Sequence, residues 1–286
     1  MPSVNINKVK LEYNEQGSGE PVVFVHGGLS DWRTWIPQLE QFSIHYRTIS
    51  YSRRYHWPNA EIADQQDNPM NPHVSDLATF LRTMDATPVH LIGNSWGAFI
   101  CLLLALRQPQ LVQTLVLCEP PVLPIFLKSP GNPLEMLSLF LRRPKTANAI
   151  MKFVSKGYGP AVNAFKRGEN EKGLEYFAQS VLGKSAYENV PEDRKEQMRA
   201  NLKPQIAEMV YSVFPSFSEP DARSIKIPTL LVTGENSPDF LLRLSARLNE
   251  IMPHAEKIVI PEASHMMHEQ NPQAFNEAVL EFLARH

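Results

Sequence analysis

Gly93-Asn94-Ser95-Trp96-Gly97 places a serine between two glycines. A serine hydroxyl becomes a useful nucleophile when a base can take its proton and the backbone holds it clear of its neighbours. Val89–Ile92 reads as a buried strand just before this run, and Ala98–Leu106 as a strongly apolar helix just after it. Alone, Gly-x-Ser-x-Gly is a weak pattern; between a strand and a helix it marks a nucleophile elbow. The turn must be sharp, so the flanking positions have no room for side chains and Ser95 must take strained backbone angles. The helix N-terminus behind it favours developing negative charge. A plain N-cap serine would not require both glycines.

Two other loops complement the serine. His26-Gly27-Gly28 closes the short β-branched run Pro21–Val25. Acyl transfer creates an oxyanion that needs two aimed N–H donors. The expected pair is the backbone N–H groups of Gly28 and Trp96. The second loop is Ala263-Ser264-His265-Met266-Met267-His268, after the last strand-like run. Imidazole has the right basicity to deprotonate Ser95, and His265 is expected to do so. His268 completes a His-x-x-His spacing, but no further ligand spacing supports a metal, so His268 is expected to pack or hydrogen-bond.

Through these three loops the sequence resembles the α/β-hydrolase superfamily over nearly its whole length. The family order is nucleophile, acid, histidine. The resemblance implies an Asp in a Gly-x-x-Asp pattern after the penultimate strand. Here Gly234-Glu235-Asn236-Ser237 puts Ser237 in its place, a clear departure. Some members carry the acid at the end of the strand that follows the elbow helix. That position is Glu119, in Leu117-Cys118-Glu119-Pro120-Pro121, and it is the preferred choice, with Asp239 and Glu235 left open. A carboxylate is needed to fix the imidazole tautomer and stabilise the imidazolium. The implied activity is hydrolysis of a small ester-like substrate, a carboxylic ester or lactone, through an acyl-enzyme and without a cofactor. Carbon–carbon bond hydrolysis, acyl transfer and a non-enzymatic ligand receptor stay as alternatives. Dehalogenases and epoxide hydrolases of this fold use a carboxylate nucleophile, which Ser95 disfavours.

The elements that must carry these loops alternate. Strand-like runs at Val4–Tyr13, Pro21–Val25, Tyr46–Tyr51, Val89–Ile92, Leu115–Cys118, Pro228–Thr233 and Lys257–Ile260 are interleaved with helical spacings. Strands apolar on both faces belong to a covered parallel sheet. The fold class is therefore α/β, a doubly wound, mostly parallel sheet. The alternation stops between Val122 and Ser224, where Pro133–Leu141, Lys145–Val154, Leu174–Leu182 and Glu192–Val213 read as helices. This predicts a core of residues 1–121 and 225–286 with a helical lid at 122–224. Ser52–Asn71 reads as a polar loop on the catalytic edge, and Trp32, Arg53, His56 and Trp57 are candidate substrate contacts.

The 286 residues are 43% hydrophobic, with a net charge of -2 and no basic block, which argues against a nucleic-acid partner. The longest apolar stretch is too short to span a bilayer. The start of the chain lacks the pattern of a signal peptide, and Cys101 and Cys118 sit in apolar runs as expected for buried thiols. The expected location is cytoplasmic, and a homodimer stays open.

Overall fold

The computed structural model describes residues 1–62, 70–129 and 132–286. Its strands are β1 (Ser3–Ile6), β2 (Val9–Gln16), β3 (Pro21–Val25), β4 (Arg47–Tyr51), β5 (Val89–Asn94), β6 (Val112–Cys118), β7 (Thr229–Gly234) and β8 (Glu256–Ile260). They form one sheet in the order β1-β2-β4-β3-β5-β6-β7-β8. From β4 to β8 neighbouring strands are parallel, whereas β1–β2 and β2–β4 are antiparallel. The central strands are apolar on both faces because helices cover both faces.

On one face lie α1 (Ile36–Phe42) and, at the end of the chain, the helix Pro272–Leu283; they bury Leu39, Phe42, Phe275 and Phe282 against Phe24 and Val116. On the other lie α2 (Met70–Thr83), α3 (Trp96–Arg107) and the helix Asp239–Ile251, which bury Phe80, Phe99, Leu244 and Leu248 against Val23 and Leu117. The chain leaves β3 toward β4 through α1, and leaves β5 toward β6 through α3. The carboxyl ends of β3 and β5 therefore bound the crevice where the winding reverses, the usual ligand site of an open α/β sheet.

Between β6 and β7 the described chain forms helices and turns but no strand. The helices are α4 (Pro133–Arg142), α5 (Pro144–Phe153), α6 (Gly159–Lys166), α7 (Asn170–Leu182), α8 (Lys184–Glu188), α9 (Glu192–Ala200), α10 (Leu202–Val210) and α11 (Glu219–Ser224). After β7 come α12 (Asp239–Ile251), α13 (Met267–Gln270) and α14 (Pro272–Leu283). Among the described residues no helix is long and apolar enough to cross a membrane.

Two elements divide where sequence spacing predicts continuity. Val4–Tyr13 is a hairpin, because Asn7 and Lys8 both take positive φ, as a two-residue turn between antiparallel strands demands. Glu192–Val213 breaks at Asn201: the Pro204 ring has no N–H to give and crowds the carbonyl four residues back. Part of the Ser52–Asn71 loop, residues 63–69, lies outside the described residues.

Candidate active site

The elbow forms because its neighbours leave no alternative. Ser95 sits at φ 51°, ψ -119°, a conformation costing ~1–3 kcal/mol that the surroundings must impose. Its N–H donates to the Cys118 carbonyl at 2.8 Å, and its carbonyl accepts from Phe99 N–H in the first turn of α3. A Cβ on Gly93 would lie 2.6 Å from the Ala98 backbone, and one on Gly97 would collide with the Val25 carbonyl oxygen. Both glycines are thus required by close backbone approach.

The histidine loop is tied to the same elbow. Asn94 Nδ2 donates to the His265 carbonyl at 3.1 Å, and Gln270 Oε1 accepts from Ser264 N–H at 2.7 Å. His265 Nδ1 lies 2.6 Å from Glu119 Oε2. The other carboxylate oxygen, Oε1, accepts from Gly234 N–H at 3.0 Å. Glu119 is fully buried and itself at positive φ, 46°. An ionised carboxylate only accepts, so this pairing puts the imidazole proton on Nδ1 and leaves Nε2 as the basic nitrogen. The other two acids left open by the sequence lie elsewhere. Asp239 is exposed and paired with Arg243 at 2.8 Å, and Glu235 accepts from Glu262 N–H at 2.9 Å. Ser237, at the family's usual acid position, is buried.

The His26-Gly27-Gly28 loop rests on a buried polar cluster. His26 Nε2 accepts from Arg53 N–H at 2.9 Å, and Arg53 Nη2 donates to the Gly27 carbonyl at 3.0 Å. Arg53 Nη1 meets Glu208 of α10 at 2.5 Å. Burial, with the Arg53 charge beside them, pushes His26, His56 and His73 below the usual imidazole range. Burial alone would raise Glu208, but the Arg53 guanidinium, helped by His73 and His56, outweighs it and holds the carboxyl low. A second polar tie runs from Asp31 to Asn201 at 2.7 Å and to Gln197 at 3.0 Å, again joining the β3 edge to α9 and the turn before α10.

Ser95, His265, Gly28 and Trp96 line one small cavity of about 40 Å³. Leu29, Ser30, Asn94 and Met266 complete its floor, and Phe177, Val181, Leu182 and Met198 of the inserted helices form an apolar wall. Arg194 of α9 and Glu269 of α13 close one side, paired at 2.7 Å. Arg194 also donates to the Leu29 carbonyl at 3.0 Å, and Glu269 accepts from Thr34 Oγ1 at 2.6 Å.

The four expected substrate contacts, Trp32, Arg53, His56 and Trp57, are not among the residues that line this cavity. Arg53 turns inward because a buried guanidinium needs a carboxylate and carbonyls around it; His56 packs beside it, 3.1 Å from Nη2. Trp32 is buried, and the Trp57 ring lies beneath the Arg33 guanidinium, 3.7 Å from its centroid. His268 stacks on Trp35 at 4.1 Å and meets Thr34 Oγ1 at 3.1 Å. Sequence reasoning passed over Arg194 and Glu269. Arg194 stands in a charged run, Glu192-Asp193-Arg194-Lys195, that reads as a solvated helix face.

The model of the alpha/beta hydrolase family matches residues 22–278. This chain belongs to that family. The hydrolase is 24% identical over 280 residues to the (E)-2-((N-methylformamido)methylene)succinate hydrolase of Acinetobacter baylyi, covering 97% of this chain and 95% of the relative. It is also 24% identical to the 2-hydroxy-6-oxo-2,4-heptadienoate hydrolase of Pseudomonas putida, over 96% of this chain and 93% of that one. Among solved structures it superimposes on a thermophilic esterase from Thermogutta terrifontis, solved with malate bound, with a TM-score of 0.71 at 19% identity, covering 99% and 98% of the two chains. At that identity the likeness shows the hydrolase fold.

Proposed function

We propose that this hydrolase cleaves a small carboxylic ester or lactone through an acyl-enzyme on Ser95. The observation that carries the reading is that His265, paired with the buried Glu119 at 2.6 Å, lines one cavity with a strained Ser95. His265 Nε2 takes the Ser95 proton as the hydroxyl attacks the carbonyl carbon. The N–H groups of Gly28 and Trp96 hold the oxyanion, aided by the N-terminus of α3. Protonated His265 gives its proton to the leaving alcohol, then deprotonates the water that frees the acid. Glu119 keeps the tautomer and stabilises the imidazolium. No step calls for a cofactor.

Residues 122–224 act as a lid over a core of 1–121 and 225–286. Their side chains form the apolar wall that keeps bulk water from the acyl-enzyme. The small cavity favours a short acyl group. Carbon–carbon bond hydrolysis by the same residues is the second reading, supported by the likeness to the Pseudomonas hydrolase.

The test is hydrolysis of p-nitrophenyl acetate by the wild type and by Ser95→Ala. A loss of roughly four orders of magnitude in a folded variant supports the serine mechanism. Equal activity of the two proteins would refute it. A wild type inactive on short esters but active on a vinylogous diketone would favour the second reading.

A further inference from the structure

Helix α4 carries apolar residues around most of its circumference. Leu139 is buried and Met136 packs beside it, together with Ala147 and Ile150 of α5. The opposite side holds Leu134, Leu137, Phe140 and Leu141, whose three- and four-residue spacings form one stripe. These four are exposed, Leu134 by 73% and Leu141 by 76%, and Met151 of α5 is exposed as well. Isolated exposed leucines need no explanation, but a contiguous apolar stripe marks a contact surface.

Charge says what kind of surface it meets. In a chain of net charge -2, the stretch from Val122 to Pro160 carries six basic residues and one acidic residue, Glu135. Arg143 is bridged to Glu250. The other five, Lys128, Arg142, Lys145, Lys152 and Lys156, are exposed and make no ion pair among the described residues. A second copy docked symmetrically on this face would bring those cations against their own images. An anionic bilayer surface offers what both features need: acyl chains for the leucines and phosphate headgroups for the lysines and arginines.

We propose that the α4–α5 hairpin is a peripheral docking face for an anionic lipid surface. The leucine stripe enters the headgroup–acyl boundary, and the flanking cations hold lipid phosphates. The face shares no residue with the cavity around Ser95, so the proposal stands apart from the ester-hydrolase reading.

The experiment is co-sedimentation of the full chain with vesicles of phosphatidylcholine alone or mixed with phosphatidylglycerol. Three proteins are compared: wild type, Leu137→Glu/Leu141→Glu and Lys145→Glu/Lys152→Glu. All four altered positions are solvent-facing, so the variants should fold, which circular dichroism checks. Wild type is expected on the anionic vesicles and not on the neutral ones, with binding weakened by salt. Removing each cation should weaken partition about fivefold, and the leucine variant should lose it. Turnover of p-nitrophenyl acetate should stay unchanged in both variants. Absence of wild-type binding, or binding indifferent to both variants, would overturn the proposal. So would a wild-type dimer in sedimentation velocity that the leucine variant makes monomeric, which would give the face to a second copy.

Discussion

Arg53 Nη2 donates to the Gly27 carbonyl at 3.0 Å, one residue before Gly28, which lines the cavity beside Ser95. The same guanidinium holds Glu208 of α10, so one side chain joins the His26–Gly28 loop to that helix. Arg53→Ala leaves the Glu208 carboxylate buried without its partner. The expected loss is about 3–5 kcal/mol of stability, with a fall in kcat as the loop loosens. Urea denaturation measures it, and a loss below about 1 kcal/mol would mean that water replaces the guanidinium freely.

Glu119→Gln tests the acid. The amide oxygen can still accept from Gly234 N–H, but the amide nitrogen then faces His265 Nδ1 and stabilises the wrong tautomer. Turnover should fall by about four orders of magnitude with stability nearly intact. Asp239→Asn should leave the rate close to wild type, because Asp239 sits on the surface with Arg243. The reverse result would move the acid to the later loop.

Much of this was legible because the constraint was local. Gly93, Ser95 and Gly97 announce the elbow since the turn excludes side chains there. Val22–Val25 and Leu115–Cys118 announce central strands since both faces are covered. What was hidden depends on distant partners. The sequence shows Arg53 on the catalytic edge, but not that Glu208, 155 residues away, turns it inward. The Arg194–Glu269 wall, likewise, joins two helices that nothing local connects.

Gly28→Ala should cost roughly 100-fold or more in kcat, the scale of losing one oxyanion donor. A Cβ there would collide with Oε1 of the fully buried Gln205, so that side chain or the loop must move. Shortening the obstacle should then help. Gly28→Ala/Gln205→Ala should recover part of the rate relative to Gly28→Ala alone. A double variant no faster than the single would show that the loss has another origin.

His268 gives the pH dependence a sign. Burial lowers its pKa from 6.5 to about 4, the nearby Glu269 opposing and Arg194 reinforcing the drop. The unfolded chain therefore binds a proton that the folded chain refuses between about pH 6.5 and 4. Stability contributed by this neutral imidazole is complete above pH 6.5 and declines as the pH falls through that window, by about 3 kcal/mol. The buried His26, His56 and His73 act in the same direction. His268→Phe keeps an aromatic ring against Trp35 and removes the proton site. Denaturation of both proteins at neutral and acid pH should show a smaller acid penalty in the variant. An equal penalty would mean that the His268 ring takes up its proton in the folded state as readily as in the unfolded one.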